Sequence, residues 1–318
     1  MIKIKLKTTI LSLLFLIIVG ASFVLFNSYT DHKNLIEAEK ERYPAPGEIV
    51  TIDGDDIHIY TEGEGDETLV FMSGLGTSSP FYDFKPLFDK LTDDYRIVVV
   101  ERFGYGWSAI NSNSRDIDTI LSETRKALDL TGEETPYILI PHSISGLESI
   151  YWAKNYPQEV EAIIGLDPLT PEYAKKDGDP PTFSRLIDFL AGSGLIRNQP
   201  SVFEENFPAM REGLLTEQEA EVARSIFFRR IQTENMWNEL EMVSKNADTV
   251  LESGQLEVPF YVLISNQNED SFWERVLKDY AKSSGGEGLL LDVGHYPHAE
   301  SPPLVAEKIK ILINELKK

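Results

Sequence analysis

The sequence predicts an α/β protein built on a mostly parallel central sheet that is flanked by helices. Short, dense apolar runs alternate along the chain with amphipathic segments of helical period, and this alternation is typical of βα units. Polar turns follow several of these runs directly, and parallel strands bring such turns to one edge of the sheet. With 318 residues, of which 42% are hydrophobic, the chain can form one sizeable core and additional segments.

The strand-like runs define the predicted order of elements. They lie at residues 48–52, 57–61, 69–72, 96–100, 138–140, 160–166, 260–264 and 289–291. Helical segments are predicted at residues 86–91, 117–130, 147–156, 272–281 and 304–316. Asp53, Gly54 and Asp55 are typical of a hairpin turn, so the first two strands should form a hairpin.

One long stretch lacks any strand signal and interrupts this alternation. It mixes prolines and glycines with amphipathic runs at residues 216–231 and 236–250, which predicts a helical cap inserted over the sheet. The predicted domains are an N-terminal anchor (residues 1–30), a stalk (31–47), an α/β core (48–170 and 257–318) and the cap, or lid (171–256).

The N-terminus predicts a membrane-spanning helix. Residues 8–26 are uncharged and mostly apolar, and at about 1.5 Å per residue they span roughly 28 Å, close to the ~30 Å hydrocarbon core. Three lysines precede this run, at positions 3, 5 and 7, and Asp31 follows it. This charge pattern favours a single-pass protein of the cell membrane with the remainder of the chain, the predicted core and cap, on the extracytoplasmic side. The alternative is a cleaved signal peptide and a secreted protein, although no A-x-A site follows the run.

Composition excludes several classes of partner and site. The formal net charge is −22, and so negative a surface repels phosphate backbones, which argues against nucleic acid as a partner. The chain has no cysteine, which excludes disulfides, thiolate metal sites and a cysteine nucleophile.

The most informative stretch surrounds Ser143. The strand-like run at residues 138–140 ends abruptly, the serine follows within three residues, and a helical segment begins at Leu147. A sharp strand–serine–helix turn is the arrangement of a nucleophile elbow, which holds the hydroxyl clear of the sheet edge. Pro141 and Ser145 occupy the two glycine positions of the usual G-x-S-x-G pattern.

A serine nucleophile needs a base within hydrogen-bond reach, and His295 is the best candidate among the five histidines. It follows the last predicted strand, whereas His32 lies in the stalk and His58 in the middle of a strand. His142 is adjacent to the serine, so its side chain should diverge from the hydroxyl, and His298 is the reserve candidate. The pattern of ligands does not favour a metal site at this loop, and the sequence predicts no cofactor.

The base needs an acid to orient it, and Asp167 is preferred. Asp167 ends the strand that follows the elbow, and its alternative role is to cap the start of the insertion. The other candidates are Asp270 and Glu269, which follow the next strand.

Two backbone N–H groups are predicted to stabilise an oxyanion. Leu75 lies in a loop with Gly74 and Gly76 after the third strand, and Ile144 follows the nucleophile at a helix start. A second loop, at residues 101–108, interleaves glycines with aromatic residues at the end of the fourth strand. We expect it to border the substrate pocket, with Arg102 and Gly104 packing beneath the elbow.

From about residue 48 to residue 317 the sequence resembles the α/β-hydrolase-fold superfamily. Four stretches carry the resemblance: Ser73-Gly74-Leu75-Gly76, Phe103-Gly104-Tyr105-Gly106-Trp107-Ser108, His142-Ser143-Ile144-Ser145-Gly146, and Gly294-His295 with Glu300-Ser301-Pro302. The turn Gly165-Leu166-Asp167-Pro168 is also similar to the acid-bearing turn of pancreatic-type lipases, which favours Asp167 by analogy.

These features predict a serine hydrolase that cleaves a carboxylic ester, or a related acyl compound, through an acyl-enzyme on Ser143. Serine in the nucleophile position argues against the dehalogenase and epoxide hydrolase chemistries of this fold. Aromatic residues of the predicted cap should mostly pack together, with some lining an apolar acyl pocket: Phe183, Phe189, Phe203, Phe207, Phe227, Phe228 and Trp237. The alternatives are an acyltransferase and a non-catalytic binding ectodomain on a hydrolase scaffold.

Overall fold

The computed structural model describes residues 2–176, 183–267 and 270–317. Within these ranges eight strands form one sheet, in the spatial order β1-β2-β4-β3-β5-β6-β7-β8. The strands are β1 (Glu48–Ile52), β2 (Asp55–Glu62), β3 (Thr68–Met72), β4 (Arg96–Glu101), β5 (Tyr137–Pro141), β6 (Val160–Leu166), β7 (Phe260–Ser265) and β8 (Gly288–Leu291). β2 pairs antiparallel with β1 and β4, and the remaining pairs are parallel. The predicted fold class is confirmed.

Helices connect these strands. They are α1 (Ile2–Arg42), α2 (Pro80–Phe88), α3 (Ile117–Leu130), α4 (Ser145–Asn155), α5 (Pro171–Lys176), α6 (Arg185–Gly192), α7 (Pro200–Asn206), α8 (Pro208–Arg211), α9 (Glu217–Arg230), α10 (Glu234–Glu252), α11 (Ser271–Ser283), α12 (Pro297–Glu300) and α13 (Pro302–Leu316). Short 3₁₀ turns occur at Pro157–Glu159 and Leu195–Asn198. α5 to α10 all lie between β6 and β7 in the chain.

The central strands are buried on both faces because helices cover each side of the sheet. Along β3, Leu69 and Phe71 pack into one apolar cluster while Val70 and Met72 pack into the other. This is the period-2 alternation of a strand, with both faces apolar as parallel sheets require. Fully burying each such side chain stabilises the fold by about 1.5–3 kcal/mol.

The parallel register brings the predicted functional loops together. Met72 at the end of β3 lies opposite Pro141 at the end of β5, and Leu166 at the end of β6 lies opposite Leu263 in β7. The residues that follow these strands therefore meet at one edge of the sheet. An isolated bridge between His142 and Leu166 extends this pairing to the residue before Ser143.

α2 begins six residues earlier than its predicted start at residue 86, and this boundary was wrong. Pro80 occupies the first turn, where proline is favoured because its missing N–H has no helical partner there. Pro86 lies inside the helix near its C-terminal end. The sequence interpretation took the second proline for the helix start, whereas the first one fills that role.

α1 is a single continuous helix that is long and apolar enough to cross a membrane. Its most apolar window has a mean hydropathy of 2.7, and none of that window is buried within the described structure. Membrane anchors and signal sequences both have these properties. The helix continues without a break to Arg42, through the charged residues that follow the apolar run.

Candidate active site

Ser143 lies on a sharp turn between β5 and α4. Its φ of +52° is in the left-handed region, where a non-glycine residue persists only if its surroundings hold it. Two backbone bonds do so, since the Ser143 carbonyl accepts from Gly146 at 2.9 Å and from Leu169 at 2.7 Å. The observed turn has the shape of the predicted nucleophile elbow.

The two residues after Ile144 explain how the elbow forms without the usual second glycine. Ser145 is fully buried, and its hydroxyl donates to the carbonyl oxygens of Met72 and His142, at 2.7 and 2.8 Å. Gly146 is the position that requires glycine, because a Cβ there would lie 2.4 Å from the Leu169 carbonyl oxygen. The close approach of α4 to the turn after β6 therefore occurs at residue 146.

Three side chains from distant parts of the chain form a hydrogen-bonded relay at the sheet edge. His295 Nε2 lies 3.1 Å from Ser143 Oγ, and His295 Nδ1 lies 2.7 Å from Asp167 Oδ2. With Nδ1–H donating to the carboxylate, Nε2 presents its lone pair to the serine hydroxyl. Both separations are within the range required of a nucleophile, its base and the orienting acid.

Asp167 is completely buried, and its second oxygen is also occupied. Oδ1 accepts from the indole N–H of Trp273 at 2.8 Å and from the backbone N–H of Ser265 at 3.1 Å. Together with the imidazole on Oδ2, these donors satisfy a carboxylate that has no access to solvent. Trp273 and Ser265 were not predicted to belong to the site, because no local pattern indicates that they lie near Asp167.

Of the alternative acids, Asp270 is the N-cap of α11. Its carboxylate accepts from the Phe272 N–H at 2.8 Å and from the Tyr173 hydroxyl at 2.7 Å. These hydrogen bonds, the one from Tyr173 first, lower the pKa of Asp270. Glu269 lies outside the described residues. The carboxylate that the structure brings to His295 is that of Asp167.

His142 supports the loop that carries His295. Its Nε2 lies 2.8 Å from the His295 carbonyl oxygen, so the ring bonds to the loop. Burial, followed by the neighbouring His298 and His295 rings, holds the pKa of His142 well below its usual range. The ring is therefore neutral, with Nε2–H donating to the loop. This role was missed, although the position beside Ser143 was the available signal.

The remaining histidines have partners of their own. The reserve base His298 is fully buried and pairs with Asp83 at 2.9 Å. His58 lies 2.9 Å from Glu101, likewise fully buried. His32 accepts from the Arg197 guanidinium at 2.8 Å.

The predicted oxyanion donors lie on segments that border Ser143. A Cβ on Gly74 would lie 2.8 Å from His142 Nδ1 and 3.2 Å from Ser143 Cβ, so the loop that continues into Leu75 packs against the nucleophile. Ile144 is the N-cap of α4, where backbone N–H groups meet negative charge favourably.

Arg102 holds the loop at residues 73–76 in place. This contact agrees with the predicted packing of Arg102 beneath the elbow. Its guanidinium donates to the Ser73 carbonyl oxygen at 3.0 Å and pairs with the carboxylates of Glu148 and Glu239 at 3.3 and 3.4 Å. All of these side chains are buried, and burial raises the pKa of Glu148. The pairs hold the arginine in one position under the catalytic edge.

Six of the seven cap aromatic residues named above divide into two groups, whereas Phe189 is exposed. Four are buried in the apolar core and contact one another: Phe203, Phe207, Phe227 and Phe228. Phe183 instead faces the oxyanion loop, since its ring lies 3.8 Å from where a Cβ on Gly76 would be. The rings of Phe183 and Trp237 pack edge to face, 5.2 Å apart. Phe183 therefore lies beside the Gly74–Gly76 loop, and Trp237 packs against Phe183.

Comparison with known proteins agrees with this architecture. Residues 67–302 match the family model for the alpha/beta hydrolase fold. The uncharacterized protein YbdG of Bacillus subtilis (strain 168) is 38% identical over 246 residues, which are 76% of this chain and 75% of that protein.

Solved structures show the same fold at low identity. Cfl2 from Burkholderia cenocepacia superposes with a TM-score of 0.62 at 17% identity, covering 83% of this chain and 94% of that one. The epoxide hydrolase CorEH gives a TM-score of 0.61 at 16% identity, covering 85% of this chain and 98% of that one. Est816, described as an N-acyl homoserine lactone degrading enzyme, gives a TM-score of 0.58 at 18% identity, covering 83% of this chain and 99% of that one. The chain belongs to the α/β-hydrolase fold family.

Proposed function

We propose that this protein is a serine hydrolase that cleaves carboxylic esters of moderately apolar acids. The observation that carries the proposal is the continuous relay from Ser143 Oγ to His295 Nε2 at 3.1 Å and from His295 Nδ1 to Asp167 at 2.7 Å. A serine in the nucleophile position sets the chain apart from epoxide hydrolases of this fold, and ester hydrolysis is the reaction that the relay suits best.

The proposed reaction has two halves. Ser143 Oγ attacks the ester carbonyl carbon while His295 Nε2 takes the hydroxyl proton, and the negative charge on the carbonyl oxygen is met by the N–H groups of Leu75 and Ile144. The oxyanion collapses, the C–O bond to the alcohol breaks, and His295 returns the proton to the departing alcohol. Water then attacks the acyl-enzyme by the same steps and releases the acid.

Asp167 acts through His295. Its buried carboxylate fixes the imidazole tautomer and stabilises the imidazolium that forms in each half-reaction. Phe183 and Trp237 favour an apolar acyl group, because they offer ring surface beside the oxyanion loop.

The test is hydrolysis of medium-chain nitrophenyl esters by the purified full-length protein. We expect Ser143→Ala to lower kcat/KM by about 10⁴-fold or more, whereas Ser122→Ala, on the exposed surface of α3, should match the wild type. Full activity of the Ser143→Ala variant would contradict the proposal. Product analysis with added alcohols distinguishes hydrolysis from acyl transfer.

We further propose that α1 is retained as a single-pass anchor with the catalytic domain on the extracytoplasmic side. The part of α1 beyond the apolar run is built into the folded domain: the Arg197 guanidinium donates to both Glu39 oxygens at 2.7 and 2.8 Å, and a Cβ on Gly194 would lie 2.8 Å from the Ser28 carbonyl oxygen. Alkaline extraction of membranes and the mass of the mature N-terminus test this. Release of a shortened soluble form would contradict it.

A further inference from the structure

α6 presents an apolar face for which the described structure provides no cover. Leu186 and Phe189 lie three residues apart, and therefore on one side of the helix, with 65% and 53% of their surfaces exposed. The apolar residues of the α1 span are exposed to the same degree, as Phe26 shows at 67%. Neighbouring exposed apolar side chains of this size indicate a surface that binds a membrane or another protein.

The position of α6 on α1 indicates what that surface meets. Immediately after α6, Gly194 packs so closely on α1 that a Cβ there would lie 2.8 Å from the Ser28 carbonyl oxygen and 2.5 Å from His32 Cβ. The apolar run of α1 ends at residue 26. At a rise of about 1.5 Å per residue, Ser28 is roughly 3 Å along the helix from the last apolar residue. His32 is roughly 9 Å along the helix from that residue, so the C-terminal end of α6 is fixed within about two turns of the end of the span.

α6 turns its apolar face away from the groove that it shares with α1. The side of α6 that carries Asp188, Ala191 and Gly192 lines a groove shared with α1 residues beyond the span, among them Lys33 and Lys40. Helical geometry turns Leu186 and Phe189 away from this groove, and hence away from the part of α1 that lies farther from the span.

The polar groups at α6 do not oppose such contact. The only acidic residue of the helix, Asp188, accepts the indole N–H of Trp237 at 3.0 Å on the groove side. Arg185 begins the helix with its guanidinium 3.9 Å from the Trp237 ring centroid and its side chain largely exposed. An arginine beside an apolar face is typical of helices that lie in the headgroup region of a bilayer.

Resting on the anchor and the ester hydrolase activity proposed above, we propose that the exposed face of α6 docks into the headgroup boundary of the bilayer that α1 spans. Phe183, three residues before Leu186, lies against the oxyanion loop at Gly76. The docked helix therefore borders the catalytic edge, and the substrate class that this arrangement suits is a membrane-resident ester of an apolar acid.

A fluorescence experiment tests the docking without requiring activity. Because the chain contains no cysteine, Leu186→Cys in a Ser143→Ala background accepts a single environment-sensitive nitrobenzoxadiazole label. The full chain is reconstituted in phosphatidylcholine vesicles that carry doxyl quenchers near the top of the acyl chains. We expect blue-shifted emission that the doxyl lipids quench. Leu130→Cys, which is 56% exposed at the end of α3, is the matched control and should show neither effect.

A label at Phe26→Cys reports on the anchor separately. If position 186 is unquenched, the docking proposal is wrong, and position 26 then shows whether the anchor also fails. The label at position 186 could also show blue-shifted emission that the doxyl lipids do not quench. If that blue shift increases with protein density in the vesicle, the face is covered by another copy of the chain and the proposal is likewise wrong.

The substrate class is tested by paired assays in active protein. Leu186→Glu with Phe189→Glu should lower hydrolysis of a long-chain ester embedded in vesicles by roughly tenfold or more, because each change removes a large apolar group from the interface. Hydrolysis of a short-chain, water-soluble nitrophenyl ester should match that of Leu130→Glu. Equal losses on both esters, or no loss on the embedded one, would overturn the proposal.

Discussion

The indole N–H of Trp273 lies 2.8 Å from Oδ1 of Asp167, on the carboxylate whose other oxygen faces the His295 imidazole. A fully buried carboxylate is costly unless its lone pairs are satisfied, and this contact supplies one of the required donors. The indole therefore fixes which oxygen remains for His295. We expect Trp273 to be a positioning residue that acts through Asp167.

Replacing this indole should weaken catalysis without removing the relay. In Trp273→Phe the ring packing is largely kept while the N–H is lost, so we expect kcat to fall about tenfold, the value of one hydrogen bond to a charged group. Trp152→Phe is the matched control, since Trp152 is buried and donates to Glu159 at 2.8 Å, remote from the site. Steady-state kinetics and thermal unfolding of both variants separate the effects. Equal kcat losses in the two variants would mean that Trp273 has no special role.

The identity of the acid is tested by comparing two aspartates. Asp167→Asn should lower kcat by roughly 10⁴-fold, because an amide cannot fix the productive imidazole tautomer or stabilise the imidazolium. Asp270→Asn removes the negative charge from the N-cap of α11 and should leave kcat within a few-fold of the wild type. The reverse order of activity losses would assign the role to Asp270.

Acidification should destabilise the protein through His142. The ring stays neutral in the folded state because burial lowers its pKa well below 6.5, whereas in the unfolded chain it takes up a proton near that pH. The unfolded state therefore gains a proton that the folded state does not, so stability is present above about pH 6.5 and is lost as the pH falls below it.

His142→Asn should reduce this dependence. The fall in Tm between about pH 7.5 and pH 5.5 is expected to be smaller in the variant than in the wild type. His32→Asn should reduce the fall as well, because burial and the adjacent Arg197 lower the pKa of His32 to about 4. A fall in Tm that is unchanged by His142→Asn would show that this ring does not titrate as inferred.

The elbow should tolerate no side chain at residue 146. Gly146→Ala places a Cβ 2.4 Å from the Leu169 carbonyl oxygen. We therefore expect the free energy of unfolding to fall by about 1–3 kcal/mol, the usual cost of overpacking. Gly192 is the last residue of α6, and a Cβ there would contact nothing within 4 Å. Gly192→Ala should therefore raise the free energy of unfolding by about 0.5 kcal/mol. Thermal unfolding of the two variants checks both signs. A stable, fully active Gly146→Ala variant would disprove the packing argument.

The sequence predicted the sheet and the three relay residues because their signals are local. Dense apolar runs identify parallel strands, and Ser143, Asp167 and His295 each follow such a run directly. Parallel topology then brings strand ends together without further information.

What the sequence did not reveal depends on contacts between residues far apart in the chain. Trp273 and Ser265 reach Asp167 from about a hundred residues away, and nothing in their own neighbourhoods marks them as partners of a carboxylate. His142 was predicted to diverge from the serine, but its bond to the His295 carbonyl needed the folded loop. The exposed face of α6 likewise acquires meaning from the packing of Gly194 on α1.

The central claim is that His295 and Asp167 activate the hydroxyl of Ser143, and covalent labelling tests it most directly. A fluorophosphonate reacts when an activated serine oxygen attacks phosphorus and fluoride leaves, so it needs no knowledge of the substrate. Peptide mapping of the intact, folded protein should place one adduct on Ser143, with labelling lost in Ser143→Ala and strongly slowed in His295→Gln. Folded wild-type protein that takes up no label, or that is labelled as fast without His295, would contradict the account.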